Sequence, residues 1–149
     1  MMESKISPTD LKSAQMYFER KLAFTMGPME VHHKQEQGEK LIVVDVRSAK
    51  DFEKAHIPGA NHLPEDQWES LKGLSKDEIN VVYCYSVVCH LAARAAVFFA
   101  SRGFSVVEMD GGWEYWQHYK LDEETGKSRE SLGATTKTGE LKFNQAEAL

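Results

Sequence analysis

Two thiols, Cys84 and Cys89, bracket the segment Tyr85-Ser86-Val87-Val88, with His90 directly after and Arg94 four positions further on. A cysteine becomes a nucleophile only as its thiolate, and two cysteines this close can also cycle between thiols and a disulfide. Ahead of Cys84 lies an apolar β-type run, Val81-Val82-Tyr83, and behind Cys89 a helical pattern covers about His90 to Arg102. A loop that joins a strand to a helix faces the unpaired N–H groups of the helix's first turn. Those donors and the positive end of the helix dipole favour a thiolate. The competing reading is that both cysteines are small, inert packing residues. Asp45 and Arg47 end a second apolar run, Leu41-Ile42-Val43-Val44, and so belong to the same kind of strand end.

The rest of the chain narrows the class of function. At 149 residues it forms one domain with a real core and a tail to spare. Against 18 basic residues stand 23 acidic ones, a net charge of -5, and there is no long basic run. Nucleic acid and anionic membrane surfaces are therefore not expected partners. No apolar stretch approaches the ~20 residues of a membrane span, and the amino terminus lacks a signal peptide's basic-then-apolar pattern. The expected location is the cytoplasm. In a reducing compartment two cysteines are no disulfide framework and read as reactive, metal-binding or buried.

The elements that must position the thiols follow from patterning. Ser7-Pro8-Thr9-Asp10 starts a helix, and Leu11, Ala14, Phe18 and Leu22 give residues 8 to 23 one apolar face. That face is expected to pack on the domain, a homodimer contact being the alternative. Phe24-Thr25-Met26 reads as an edge strand, and Met29 to Gln37 as a short helix in which His32 and His33 are solvated. Leu41 to Val44, with no polar interruption, suits a strand covered on both faces. Ser48 caps a helix to about Lys54, Ala55 to Ala60 form a turn, Asn61-His62-Leu63 a brief strand, and Glu65 to Leu71 a helix ended by Gly73. After the helix from His90, Gly103 closes it, Ser105 to Met109 is a strand, and Gly111-Gly112 turn the chain into a last helix carrying Trp113 and Trp116. Alternating strands and helices predict an α/β fold with a mostly parallel sheet, whose ligands bind beyond the carboxyl ends of the strands. Asp45, Arg47 and Cys84 lie there. The organisation read is a helix over 1–23, a domain over 24–121, and a polar tail over 122–149 that Leu141 and Phe143 could tack down.

In order along the chain, LIVVDVRSAKDFEKAHIPGANHLP, NVVYC with its loop, LAARAAVFFASRGF and VVEMDGGWEYW resemble the rhodanese-like, single-domain sulfurtransferase family. The likeness spans about Leu41 to Tyr119. It implies a three-layer fold of about five mostly parallel strands flanked by helices, with Cys84 at the catalytic position. It also implies a reaction in which the cysteine takes sulfane sulfur from a small donor, becomes a persulfide, and passes the sulfur to a thiol, a protein acceptor or another nucleophile. No cofactor and no metal are implied. The loop's N–H groups would cradle the terminal sulfur.

The loop departs from the family's usual Cys-x-x-Gly-x-Arg. It has neither the Gly nor the Arg, it is longer, and it looks like a subgroup with a second cysteine five residues after the first. Val87 and Val88 offer an oxyanion no charge; His90 and Arg94 supply some positive potential. A persulfide or polysulfide donor therefore fits an apolar loop better than thiosulfate. Ala55 stands where the family usually has Gly. Cys89 has three readings: a resolving thiol that attacks a persulfide on Cys84, the nucleophile itself, or a packing residue. Cys84 is preferred as nucleophile because it directly follows the strand; between the resolving and packing roles the sequence does not choose. Asp45 and Arg47, matching the family's Asp-x-Arg, and His56 are read as braces rather than catalysts. Tyr85 and Ser86 could touch substrate, and Trp113 could line the mouth. A metal site from Cys84, Cys89, His90 and His56 lacks a second ligand pair. A cysteine phosphatase needs an arginine six residues after the cysteine, where His90 stands. A non-enzymatic thiol/disulfide or protein-binding module is the other function that fits.

Overall fold

The computed structural model describes residues 7–127 of the chain. Five strands, β1 (Thr25–Met26), β2 (Leu41–Asp45), β3 (Asn61–His62), β4 (Ile79–Tyr83) and β5 (Val106–Met109), form one sheet in the order β1-β5-β4-β2-β3. Every pairing is parallel, with Val44 beside Val82 and Val82 beside Glu108. The helices are α1 (Pro8–Phe24), α2 (Pro28–Glu36), α3 (Ala49–Lys54), α4 (Leu91–Ser101) and α5 (Gly112–His118).

Because side chains alternate along a strand, each unbroken apolar run feeds two cores. Val43, Val81, Val107 and Met109 point to one face, where Val31 of α2, Phe52 of α3 and Trp116 of α5 cover them. Val44, Val82 and Cys84 point to the other, under Ala92, Ala95 and Phe99 of α4 and under Trp68. The three-layer α/β expectation holds.

Several details differ from the sequence reading. Residues Glu65–Ser70 form a 3-10 helix rather than an α-helix, and Leu71, at φ 55°, ends it before Gly73 is reached. His32 is partly buried rather than fully solvated: its ring meets Trp116 edge-on, and its Nε2 lies 3.4 Å from Asp122. Residues 122–127, assigned to a loose tail, run back across the domain. His56 and Glu124 exchange backbone hydrogen bonds of 2.8 Å, and Trp116 Nε1 donates to the Asp122 carbonyl at 2.7 Å. Leu141 and Phe143 lie outside the described residues.

The larger correction concerns α1. Its capping box forms as the Ser7–Asp10 pattern predicts, yet none of its side chains is buried. Leu11, Phe18 and Leu22 are 57%, 56% and 82% exposed. The helix runs into edge strand β1 with no turn between, so only its carboxyl end comes near the sheet, and its apolar stripe is not laid on the domain. No described helix is long and apolar enough to cross a membrane.

Candidate active site

Strand β4 delivers Cys84 to the carboxyl edge of the sheet, almost wholly buried on the α4 side. The loop that follows is held by its backbone. Two N–H groups opening α5 donate to it, Trp113 to the Cys84 carbonyl at 2.8 Å and Glu114 to the Tyr85 carbonyl at 2.9 Å. This approach needs Gly112, at φ 59°: a Cβ there would sit 2.6 Å from the Cys84 carbonyl oxygen and 2.9 Å from the Ser86 nitrogen. Gly111-Gly112 therefore does more than turn the chain. It lets one helix terminus grip the loop that the thiols occupy.

Within the loop, Cys89 N–H closes a turn onto the Ser86 carbonyl at 3.1 Å. The turn brings the cysteines together: the Cys84 thiol lies 3.5 Å from the Cys89 carbonyl, to which it can donate. Burial, and after it the hydrogen bond with Cys89, push the Cys84 pKa up to about 11, against the N–H groups of Ala92 and Tyr85. Burial also opposes ionisation of Cys89. The Cys84 thiol, the N–H groups of Leu91 and Tyr85 and the charge of Arg94 outweigh it and hold Cys89 below the ordinary thiol value. The expectation that the helix start would make Cys84 the ready thiolate is thus corrected. Of the two thiols the surroundings favour ionisation of Cys89, the more exposed, over Cys84.

Both thiols open on a cleft of about 570 Å³. Ser86, Val87 and His90 of the loop line it, together with Glu108 of β5, Asp110, Tyr115 of α5 and Lys21 of α1. Glu108 is held above the usual carboxylate range by partial burial and by Asp110, with His90 and Lys21 acting the other way. Two carboxylates, Glu108 and Asp110, thus share the cleft with the thiols.

The remaining residues singled out by sequence fall outside the cleft. Arg47 and Asp45 are buried and bonded through Nη2 at 2.8 Å and Nε at 3.0 and 3.1 Å; the Arg47 Nη2 also donates to the Ala55 carbonyl at 2.7 Å. Tyr83 donates its hydroxyl proton to Asp45 at 2.5 Å, and the guanidinium lies 4.8 Å from the Trp113 ring centre. This is a brace between strand ends and α5, as expected, and it leaves Arg47 no freedom to meet a substrate. Trp113 lies beneath that guanidinium rather than at the mouth. Tyr85 turns away too, donating to Asp51 at 2.6 Å at the start of α3. His56 stacks on Phe52 at 3.7 Å and bonds the Phe52 carbonyl through Nδ1, which fixes the turn. Val88 is 84% exposed and does not line the cleft. Arg94 reaches Glu65 at 3.7 Å outside it, acting on Cys89 only through its charge. Sequence reasoning missed Lys21, Glu108, Asp110 and Tyr115. Glu108 carries a signal, a charge in the middle of an otherwise apolar strand; Lys21 carries none.

The model of the rhodanese-like domain family matches residues 28–119. Among curated proteins, the chain is 36% identical over 81 residues to the thiosulfate sulfurtransferase GlpE of Pseudomonas putida, covering 53% of this chain and 72% of that one. It is 31% identical over 106 residues to the protein of the same name from Pseudomonas aeruginosa, covering 69% and 93%. The crystal structure of the BH2092 protein from Bacillus halodurans superposes with a TM-score of 0.71 at 33% identity, covering 77% of this chain and 86% of that one.

Proposed function

Because the chain belongs to the rhodanese-like family, we propose that it is a sulfurtransferase carrying sulfane sulfur as a persulfide on Cys84. The observation that supports this most directly is the Cys84 thiol itself. It sits at the carboxyl end of a central strand, with the N–H groups of Tyr85 and Ala92 on its sulfur and a cleft in front of it. Its proton has somewhere to go, since the neighbouring Cys89 is the thiol that ionises more readily and can accept it as a thiolate. As the Cys84 sulfur attacks the donor's outer sulfur, that proton moves to Cys89 and the donor leaves as its thiolate. The acceptor, a small thiol or a protein thiol, then attacks the outer sulfur of the persulfide and frees Cys84.

The lining of the cleft supports a persulfide or polysulfide as donor. Thiosulfate is a dianion, and the guanidiniums that could have met it are engaged elsewhere, Arg47 with Asp45 and Arg94 with Glu65. The same lack of a free guanidinium beside the thiols argues against a cysteine phosphatase.

The test is to incubate the protein with a panel of sulfane-sulfur donors and follow its intact mass. A gain of one sulfur atom per chain is expected in a Cys89→Ser variant, which holds the adduct, and no gain in Cys84→Ser. Absence of an adduct with every donor would overturn the proposal. The contact between the cysteines favours a second reading, a thiol/disulfide module without sulfur transfer. In that case mild oxidant would join the thiols while no donor loaded them.

A further inference from the structure

Cys89 borders the same cleft as Cys84, and its side chain hydrogen-bonds the Cys84 thiol. The short turn closed by Cys89 N–H on the Ser86 carbonyl places its main chain within 3.5 Å of the Cys84 Sγ. With the two side chains in contact, a Cys89 thiolate has the inner atom of a Cys84 persulfide within reach. Attack on the outer atom would only relay the sulfur; attack on the inner atom expels it.

We infer that the chain is a persulfide reductase as well as a sulfur carrier: the Cys89 thiolate attacks the inner sulfur of the Cys84 persulfide and releases hydrosulfide. The inference rests on the persulfide reading given above. Its steps balance. The Cys84 sulfur takes the outer sulfur of a persulfide R–S–SH as its proton passes to Cys89, and the departing R–S⁻ takes that proton to leave as R–SH, which returns Cys89 to the thiolate. The Cys89 thiolate then forms an S–S bond to Cys84 Sγ as the bond to the outer sulfur breaks, and that sulfur departs with the electron pair as HS⁻. One sulfane sulfur is reduced by two electrons and the two cysteines are oxidised to a disulfide. Two equivalents of a small thiol restore the dithiol and leave as one small disulfide. The surroundings suit each step: Cys89 is held below the ordinary thiol value, and the cleft that both cysteines line gives the small product a way out. The Cys84 N–H partners hold the inner sulfur while it is attacked.

A single-turnover experiment decides the matter. Reduced protein is mixed anaerobically with one equivalent of glutathione persulfide, quenched with acid, and analysed by intact mass together with a hydrosulfide assay. Wild type is expected two hydrogens lighter than the reduced chain, with about one hydrosulfide per chain. The Cys89→Ser variant is expected one sulfur heavier, with no burst of hydrosulfide, and Cys84→Ser unchanged in mass. If wild type keeps the added sulfur as the Cys89→Ser variant does, this inference is overturned and the sulfurtransferase reading survives. If neither protein takes up sulfur, the sulfurtransferase reading falls and this inference with it.

Discussion

Two thiols in one tight turn do not titrate independently, and their division of labour follows from which sulfur the surroundings let ionise first. Burial and the bond to Cys89 hold Cys84 near 11, while its own S–H and the charge of Arg94 lower Cys89. Removing one partner should move the other in a predictable direction. In Cys89→Ala the adjacent thiolate is gone, so Cys84 ionises more easily and its alkylation midpoint falls below 11. In Cys84→Ala the donor to the Cys89 thiolate is gone, so the Cys89 midpoint rises. Shifts of roughly one pH unit or more are expected for groups this strongly coupled. They are read from the pH profile of iodoacetamide labelling, with the labelled residue located by mass spectrometry. Midpoints that ignore the neighbour would show that the thiols are not in contact. At this scale the sequence was informative about identity: Cys84, Cys89 and the Asp45–Arg47 brace were all visible as residue types at strand ends. It was silent on protonation, because a pKa depends on burial and on neighbours that only folding brings together.

At the scale of elements, the loop is shaped less by its own residues than by the start of α5. The loop after Cys84 lacks the family's glycine, but Gly112 supplies the clearance from outside, allowing two N–H groups to reach the carbonyls of Cys84 and Tyr85. A Gly112→Ala change combines a left-handed backbone with a Cβ pressed against those peptides. The expected cost is about 1–3 kcal/mol for the backbone conformation alone. It should appear as a lowered Tm, together with loss of most sulfur uptake as the loop is pushed from its place. A variant of wild-type Tm and wild-type uptake would mean that the grip of α5 on the loop is not needed. Helix α1 carries the contrary lesson. Its cap and its apolar period predict a helix correctly, since both are local. Where the helix lies depends on its direct run into β1, which periodicity does not report, and Lys21 reaches the cleft only because of that placement.

At the scale of the whole molecule, the excess of acidic over basic residues is focused where it affects substrate choice. Glu108 and Asp110 line the cleft with the thiols, and Lys21 and His90 act against their charge there. Like charges in a partly buried cleft repel an incoming dianion more strongly than they would in open solvent. Replacing both, as Glu108→Gln with Asp110→Asn, should raise kcat/KM for thiosulfate about tenfold, with a smaller gain at high ionic strength. Turnover of a neutral organic polysulfide should change little. Equal effects on the two donors would show that the cleft does not select by charge.

The sequence by itself determined the order of strands and helices, the two-sided burial of the sheet, and the location of the chemistry at the end of β4. These rest on short-range patterns: apolar runs, caps, glycines that close helices, and a cysteine directly after a strand. It also carried the family resemblance that the match over residues 28–119 makes firm. Only folding settles which thiol ionises more readily, which distant groups line the cleft, and that α1 stands clear of the core. Each of those turns on groups far apart in the chain, such as Lys21, Cys84 and Glu108, whose distances and shared burial no local spacing encodes.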